Sequence, residues 1–454
     1  MPRRTRTDGG AAPIWTRDFT LATLTTLLMA TVFMSSFVTM APYAIRDLGA
    51  TEPQAGAVAG IFVVGAVLAR PVAGWSLDLI GRKRIVVVGL AVQVVATGLY
   101  LLADSLSWLL VVRVLHGMAM GFTHTALAAS VLSLLPPRRR SEGTGYFGMS
   151  GVIAGALGPL FGVPVLMGVG AQPLFIVFIG LLGAALLMSL PLRLPNPARR
   201  AGEPHSMAMG PSRRSVRQVL RTLLEPTVIP VASVMLVAGA AFSSVLAYLS
   251  LHTEQAGMAQ MTTVFFVVYS ASVLLVRPFA GRLHDSRGDN TIIYPALLSL
   301  AVALAVIGIA QTPAILLLGA VALALGFGTL QSSMQAIAVT LAPPHRVGLA
   351  TATFFLMLDI GTGLGPILLG FAVAYLGYSP MYLLMAAITL VAVALYHLTH
   401  GGTAKRRVGP LPDDLPDLTA PEPGTEQPTT PLDGSSQQQS GDTQDDHHRP
   451  HGDQ

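Results

Sequence analysis

The sequence contains no cysteine, which excludes disulfides, thiolate metal sites and sulfur redox chemistry. Charge is scarce as well. Only 11% of the 454 residues are Asp, Glu, Lys or Arg, against about a quarter in soluble domains. Too few charged side chains are present to coat a water-facing globule of this length. Lysine is nearly missing, with Lys83 and Lys405 the two among 28 basic residues. The start, MPRRTRTDGGAAPIW, has no short apolar stretch ending in a small-residue cleavage site, so no signal peptide is expected. Phosphate loops, nucleophile elbows and paired metal-binding carboxylates at helix ends are all missing. Direct ATP drive is therefore not expected, nor is an enzyme, a cofactor or a metal site.

What is present is apolar: 52% of the residues are hydrophobic. A membrane-spanning helix needs about 20 mostly apolar residues. Such stretches fall at 18–40, 54–77, 84–102, 107–134, 143–165, 173–191, 226–250, 260–280, 291–310, 314–341, 348–370 and 380–399. The chain is thus expected to be an all-α membrane protein of twelve spanning helices. Arginines crowd alternate connections: Arg82 and Arg84 flank Lys83, Arg138–Arg140 follow, then Arg193 to Arg221, Arg282 with Arg287, and Arg346. Both chain ends carry bases on the same side, and Arg46 is the one clear base opposite. By the positive-inside rule both termini are expected in the cytoplasm of a bacterial inner membrane. Basic residues beside a bilayer report topology, so the excess of bases gives no ground for nucleic-acid binding.

The expected divisions are a cytoplasmic N-terminus (1–17), a six-helix half (18–191), a Pro- and Arg-rich linker (192–225), a second six-helix half (226–400) and a tail (401–454). Ten of the 23 acids but four of the 28 bases lie after residue 400. Rich also in Pro, Gln, Ser and Gly, that tail is expected to be disordered.

The halves repeat one another. Arg70-Pro71-x-Ala73-Gly74-x-x-x-Asp78-x-x-Gly81 returns as Arg277-Pro278-x-Ala280-Gly281-x-x-x-Asp285-x-x-Gly288, an offset of 285 − 78 = 207. The same offset relates Gly121 to Gly328 and Gly158-Pro159 to Gly365-Pro366. Six helices per copy make the repeats parallel, the pattern of transporters whose halves rock about a midplane site.

Gly74, Asp78, Gly81, Arg82 and Lys83, in the turn between helices 2 and 3, resemble the signature loop of the major facilitator superfamily. The resemblance covers about residues 15–400 and implies that fold. It also implies that the loop, with Asp285 as its second copy, works as a conformational latch on helix 11. The second copy departs from the pattern, with Asp289 where Arg82 aligns, so a weaker latch is expected there. Leu109-x-x-x-Arg113-x-x-His116-Gly117 on helix 4 is similar to the family's second signature, with His116 in place of glutamine.

Arg113, His116 and His124 share one helical stripe. A guanidinium inside a membrane marks a functional cavity by default; a structural ion pair or bonds to backbone carbonyls are the alternative. Each histidine is open to proton transfer or to simple packing. Asp359 is the one acid deep inside a predicted helix, roughly 16 Å from its start. A proton-coupling role and a locked contact between the halves are both open to it. The aligned position in the first half is Val152. Gly158-Pro159 resembles the family's antiporter signature, and with Gly365-Pro366 either bends its helix or packs it closely. The resemblance makes helices 1, 4, 7 and 10 the cavity walls, with Thr31, Ser35, Thr39, Tyr248, His252, Gln331 and Gln335 as substrate candidates. The resulting expectation is a monomeric, proton-coupled exporter of small organic molecules, better suited to an amphipathic or weakly acidic solute than to a strongly cationic one. Proton-coupled uptake through the same fold is the alternative.

Overall fold

A computed structural model describes residues 13–136, 139–194, 224–343 and 346–404. The greater part of the linker and all of the tail beyond residue 404 lie outside the described residues. The chain folds into α1 (Arg17–Leu48), α2 (Glu52–Ile80), α3 (Arg82–Leu99, with a closing turn Tyr100–Leu102), α4 (Leu106–Leu134), α5 (Arg140–Gly168) and α6 (Ala171–Ser189). The second half comprises α7 (Ile229–Gln255), α8 (Met261–Arg287), α9 (Asp289–Ile309), α10 (Pro313–Leu341), α11 (Val347–Leu376) and α12 (Tyr378–Tyr396). No strand occurs among the described residues. Among the described residues, twelve helices are long and apolar enough to cross a membrane.

Local chemistry accounts for the helix ends. The hydroxyls of Thr16, Ser105 and Thr312 cap α1, α4 and α10 by accepting bonds from backbone N–H groups three residues on. One-residue turns join α2 to α3 and α8 to α9, at Gly81 (φ 91°) and Gly288 (φ 83°). Only glycine takes up that backbone conformation cheaply. α1 runs eight residues past the predicted stretch because its end is closed by Gly49 in the left-handed region, φ 61°.

The 207-residue repeat reaches these boundaries. α10 starts and stops 207 residues after α4 (313 − 106, 341 − 134), and α12 does the same after α6 (378 − 171, 396 − 189). The capping residues Ser105 and Thr312 keep that spacing too. One departure lies in α10, where Ala324–Gly328 forms a π-helical turn and Phe327 stacks on Phe242 of α7 at 4.0 Å. Wide turns of this kind are absorbed as single bulges within longer helices.

Consecutive helices alternate in direction. The end at which α1 begins and α12 finishes is here the base end, and the opposite one the far end. α2 packs along α4 in the first half and α7 along α11 in the second. The halves meet where α2 lies against α11, α5 against α8, and α1 against α7. Leucines, valines and isoleucines such as Leu68, Val88, Val111, Leu275 and Val391 remain uncovered. Around a bundle of this composition they are the faces turned to lipid.

Candidate functional site

Arg113 is fully buried inside the first half. Its Nε donates to the Val58 carbonyl (2.9 Å), Nη2 to the Ala59 carbonyl (3.1 Å) and Nη1 to Ser36 Oγ (3.2 Å). The guanidinium carbon sits 4.7 Å from the centre of the Phe62 ring. Close approach of α4 to α2 makes this possible, because a Cβ on Gly117 would strike the Phe62 carbonyl. Arg113 thus rivets α1, α2 and α4 together, the backbone-carbonyl alternative of the sequence reading, and presents no surface to an open cavity. His116, also buried, pairs through Nδ1 with the Tyr100 hydroxyl at 2.9 Å.

Asp359 lies at the seam between the halves. Its Oδ2 is 2.6 Å from Nη2 of Arg70 on α2. Counting from the base end, Arg70 is ten residues up α2 and Asp359 twelve up α11, roughly 15 and 18 Å, close to the bilayer midplane. The two charges meet without a well-aligned hydrogen bond: Arg70 Nε and Asp359 Oδ2 are both buried and unbonded. His124, half-buried on α4, is close enough to Arg70 to feel its charge. Two of the three proton candidates, Asp359 and His124, therefore gather around one arginine, whereas His116 stands apart. Arg70 was missed as a site residue. Its signal was present, as a charge inside the predicted span 54–77 and at the head of the repeated motif.

The seam beside this pair is built by glycine. A Cβ on Gly56 would run into the Pro366 carbonyl and the Tyr248 hydroxyl, and one on Gly60 into the Gly363 carbonyl. A Cβ on Gly370 would lie 2.7 Å from the Glu52 carbonyl oxygen. Nearer the far end, Ser250 Oγ of α7 donates to the Val38 carbonyl of α1 (3.4 Å), and Arg46 forms an ion pair with Glu254. The bonds and ion pairs joining described residues of the two halves thus run from mid-depth to the far end. The Gly-Pro segments serve close packing as well: Gly158 and Gly162 lie on Ser35 of α1, and Gly365 on Ala240 and Ser243 of α7.

The remaining candidates divide by burial. Thr31, Ser35, Thr39, Tyr248 and His252 are enclosed, whereas Gln331 and Gln335 keep part of their surface. Tyr248 donates to the Pro366 carbonyl (2.6 Å), Thr39 to the Ser35 carbonyl (2.8 Å), and His252 Nε2 pairs with the Ile307 carbonyl (3.0 Å). The hydroxyls of Thr31 and Ser35 are buried without a partner.

At the base end the latch is described in part. The side chains of Gly74, Asp78 and Asp285 lie outside the described residues. Arg82 reaches α4, bonding Ser133 Oγ (2.7 Å) and the Ala129 carbonyl (3.3 Å), and Lys83 is exposed. Asp289, aligned with Arg82, is built into a clamp: one carboxylate oxygen faces His284 Nε2 and the other His400 Nε2, each at 2.9 Å. That clamp fastens α8 and α9 to the turn His397–Gly401 that follows α12.

Similarity to known proteins agrees with this architecture. The multidrug resistance protein MdtG of Enterobacter lignolyticus is 25% identical over 414 residues, covering 88% of this chain and 94% of the relative. The staphylopine export protein of Staphylococcus aureus is 23% identical over 363 residues, covering 78% and 89%. Among solved structures, the nucleoside transporter NupG superposes with a TM-score of 0.69 over 84% of this chain and 99% of its own, at 14% identity, a likeness of fold alone. The family model for the Major Facilitator Superfamily matches residues 22–319 and 296–433. With two parallel six-helix repeats and a polar seam at mid-depth, the chain belongs to the major facilitator superfamily and is a multi-pass membrane transporter.

Proposed function

We propose that this transporter is a monomeric, proton-coupled exporter of small organic molecules in the bacterial inner membrane, with its base end in the cytoplasm. The observation that carries the reading is the Arg70–Asp359 pair, a single acid and a single base facing one another across the moving seam. An intramembrane acid with a cationic partner is a proton-relay candidate. When ionised, Asp359 holds α11 to α2 and favours the closed far end. Protonation removes its charge, releases Arg70 and lowers the cost of parting the halves. His124, on the first-half side of Arg70, is the second proton candidate. Alternating access then follows from rocking about this seam. Export as the direction is supported by the names of the relatives, a multidrug resistance protein and an export protein.

A second reading, proton-coupled uptake, draws support from the packing role of Gly158 and Gly365, since those segments were the sequence argument for antiport. One experiment separates the two. Accumulation of a panel of labelled compounds is followed in cells with and without this protein, with and without an uncoupler. Lower accumulation that the uncoupler restores supports export; higher accumulation that it abolishes supports uptake. A difference indifferent to the uncoupler refutes proton coupling in either direction.

A further inference from the structure

The repeat that supplies Arg70 supplies a second arginine at the same place in the other half, Arg277 on α8. By the same symmetry its neighbour is α5, as α11 is the neighbour of Arg70. Arg70 finds Asp359 there. The position of α5 equivalent to Asp359 is 359 − 207 = 152, and it holds valine. Arg277 has no ion-pair or hydrogen-bond partner among the described residues, and it is exposed.

Its exposure is not on the lipid face. Phe266, Ser270, Val273 and Ala280 are all buried, at 1%, 2%, 6% and 8% exposure. They lie eleven, seven, four and three residues from Arg277, which is the spacing of a single helix face. The lipid-facing residues Leu275 and Phe279, at 70% and 69% exposure, lie two residues to either side of Arg277, on the opposite face. Arg277 therefore points along the packed side of α8 at a level where the packing is interrupted.

The interruption is visible on α5. Gly155 touches α8, its nearest neighbour there being Ser270 Oγ at 3.7 Å from where a Cβ would stand. Gly151 and Gly148, one and two turns nearer the base end on the same face, have nothing within 4 Å. From the Gly155–Ser270 contact downward, α5 and α8 part. Arg277, seven residues below Ser270, stands in the gap roughly 10 Å below that contact and roughly 15 Å above the base end of α8. The upper limit of the gap is polar. Ser270 Oγ of α8, facing Gly155, is a buried hydroxyl without a partner.

An unpaired guanidinium at this depth is costly unless a counter-charge or water reaches it. The chain withholds the counter-charge at the one position where symmetry would place it. We infer that Arg277 is the anchor for the anionic group of a transported organic anion, taken up in the α5/α8 gap from the base end with the unpartnered Ser270 hydroxyl above it. A planar guanidinium binds a carboxylate by two parallel bonds, and the gap leaves its donors free to do so. This names the substrate class for the transport reading above and rests on it.

The test uses the full chain in proteoliposomes with an imposed pH gradient and two dyes that share a xanthene skeleton, anionic fluorescein and cationic rhodamine 123. Wild-type protein is expected to move fluorescein. Arg277→Gln is expected to lower fluorescein transport at least tenfold and to leave rhodamine 123 unchanged or faster, and Arg277→Lys to recover part of the loss. Val152→Asp supplies the missing acid without touching Arg277; it should raise the fluorescein KM at least tenfold by pairing with the arginine, with rhodamine 123 unaffected. Equal losses of both dyes in Arg277→Gln and Val152→Asp would overturn the inference, since they mark a general role in folding or cycling. A wild-type protein that moves rhodamine 123 but not fluorescein overturns the anion assignment and leaves the transporter standing. Movement of neither dye overturns this inference and counts against exporter function as well.

Discussion

Replacing Asp359 by asparagine removes the negative half of the seam while keeping its shape. At 2.6 Å the gross Coulomb attraction is about 6 kcal/mol for an effective dielectric constant of 20. Desolvation of both ions offsets much of that, and breaking a fully buried pair typically costs 3–5 kcal/mol. Here the side chains retain 27% and 17% of their exposure, so water reaches a stranded Arg70, and a figure of about 2 kcal/mol, between that of a buried pair and that of an exposed one, is appropriate. The pair is made in the arrangement with the far end closed, so its loss should shift the balance toward the open far end by roughly 30-fold, at about 1.4 kcal/mol per factor of ten. Because the chain has no cysteine, one introduced thiol reports on that balance alone. Ser250→Cys places it at a residue 1% exposed, between α7 and α1 near the far end. In Asp359→Asn it should react with a maleimide roughly 30 times faster than in the otherwise wild-type chain. Ser286→Cys, on the exposed base end of α8, should react at the same rate in both. Acidification should mimic the substitution in wild-type protein, once normalised to Ser286→Cys, and should have no effect in Asp359→Asn. A Ser250→Cys rate that stays within twofold in Asp359→Asn would refute the claim that this ion pair sets the conformational balance.

Four further outcomes are expected. Arg113→Ala strands the buried oxygens of Val58, Ala59 and Ser36 and should cost about 3 kcal/mol or more, read as a lower melting temperature in detergent and poor membrane accumulation, not as a stable protein with altered selectivity. Gly60→Leu forces a side chain against the Gly363 carbonyl and should drive α2 from α11, so that Ser250→Cys labels at least tenfold faster; unchanged labelling would disprove the role of this seam. Glu254→Ala breaks a pair whose side chains are 34% and 42% exposed, so its effect on the same rate should be at most about fivefold, in keeping with the 0–1 kcal/mol of exposed ion pairs. Removing residues 405–454 should leave transport of every accepted compound intact, measured in the accumulation assay; a dead truncation would give the tail a role in the cycle.

Much of the architecture was legible in the sequence because membranes impose strict rules on it. Apolar length dictates each span, and capping and turn chemistry repeat with the same period, as at Ser105 and Thr312 or Gly81 and Gly288. The site was less legible because apolar context does not reveal what a polar side chain faces. Arg113 and Arg70 look alike in the sequence, each an arginine inside a span. One is absorbed by three bonds within its own half, and the other meets an acid from the opposite half. That difference depends on which helices cross, information carried by tertiary packing alone. Tyr100 as the partner of His116 was hidden for the same reason, because it lies in the short turn closing the neighbouring helix.

The departures from the repeat carry more information than the repeat itself. Advancing by 207, Arg113 aligns with Ala320, His116 with Leu323 and His124 with Gln331; stepping back, Tyr248 aligns with Ala41 and Asp359 with Val152. A duplicated scaffold needs matching shapes, and it keeps them in its glycines, caps and helix lengths. It has no structural need to keep a charge on one side and drop it on the other. The two arginines inside the spans that keep the symmetry, Arg70 and Arg277, therefore make the sharpest internal comparison in the molecule. Backbone, depth and helix face are the same for both, and only the acid opposite differs. Where the acid is present the halves are tied; where it is missing the helices part and the arginine stands open. A transporter must hold its halves together on one side of the seam and admit a solute on the other, and on the proposed reading one missing carboxylate assigns those tasks to two copies of the same element.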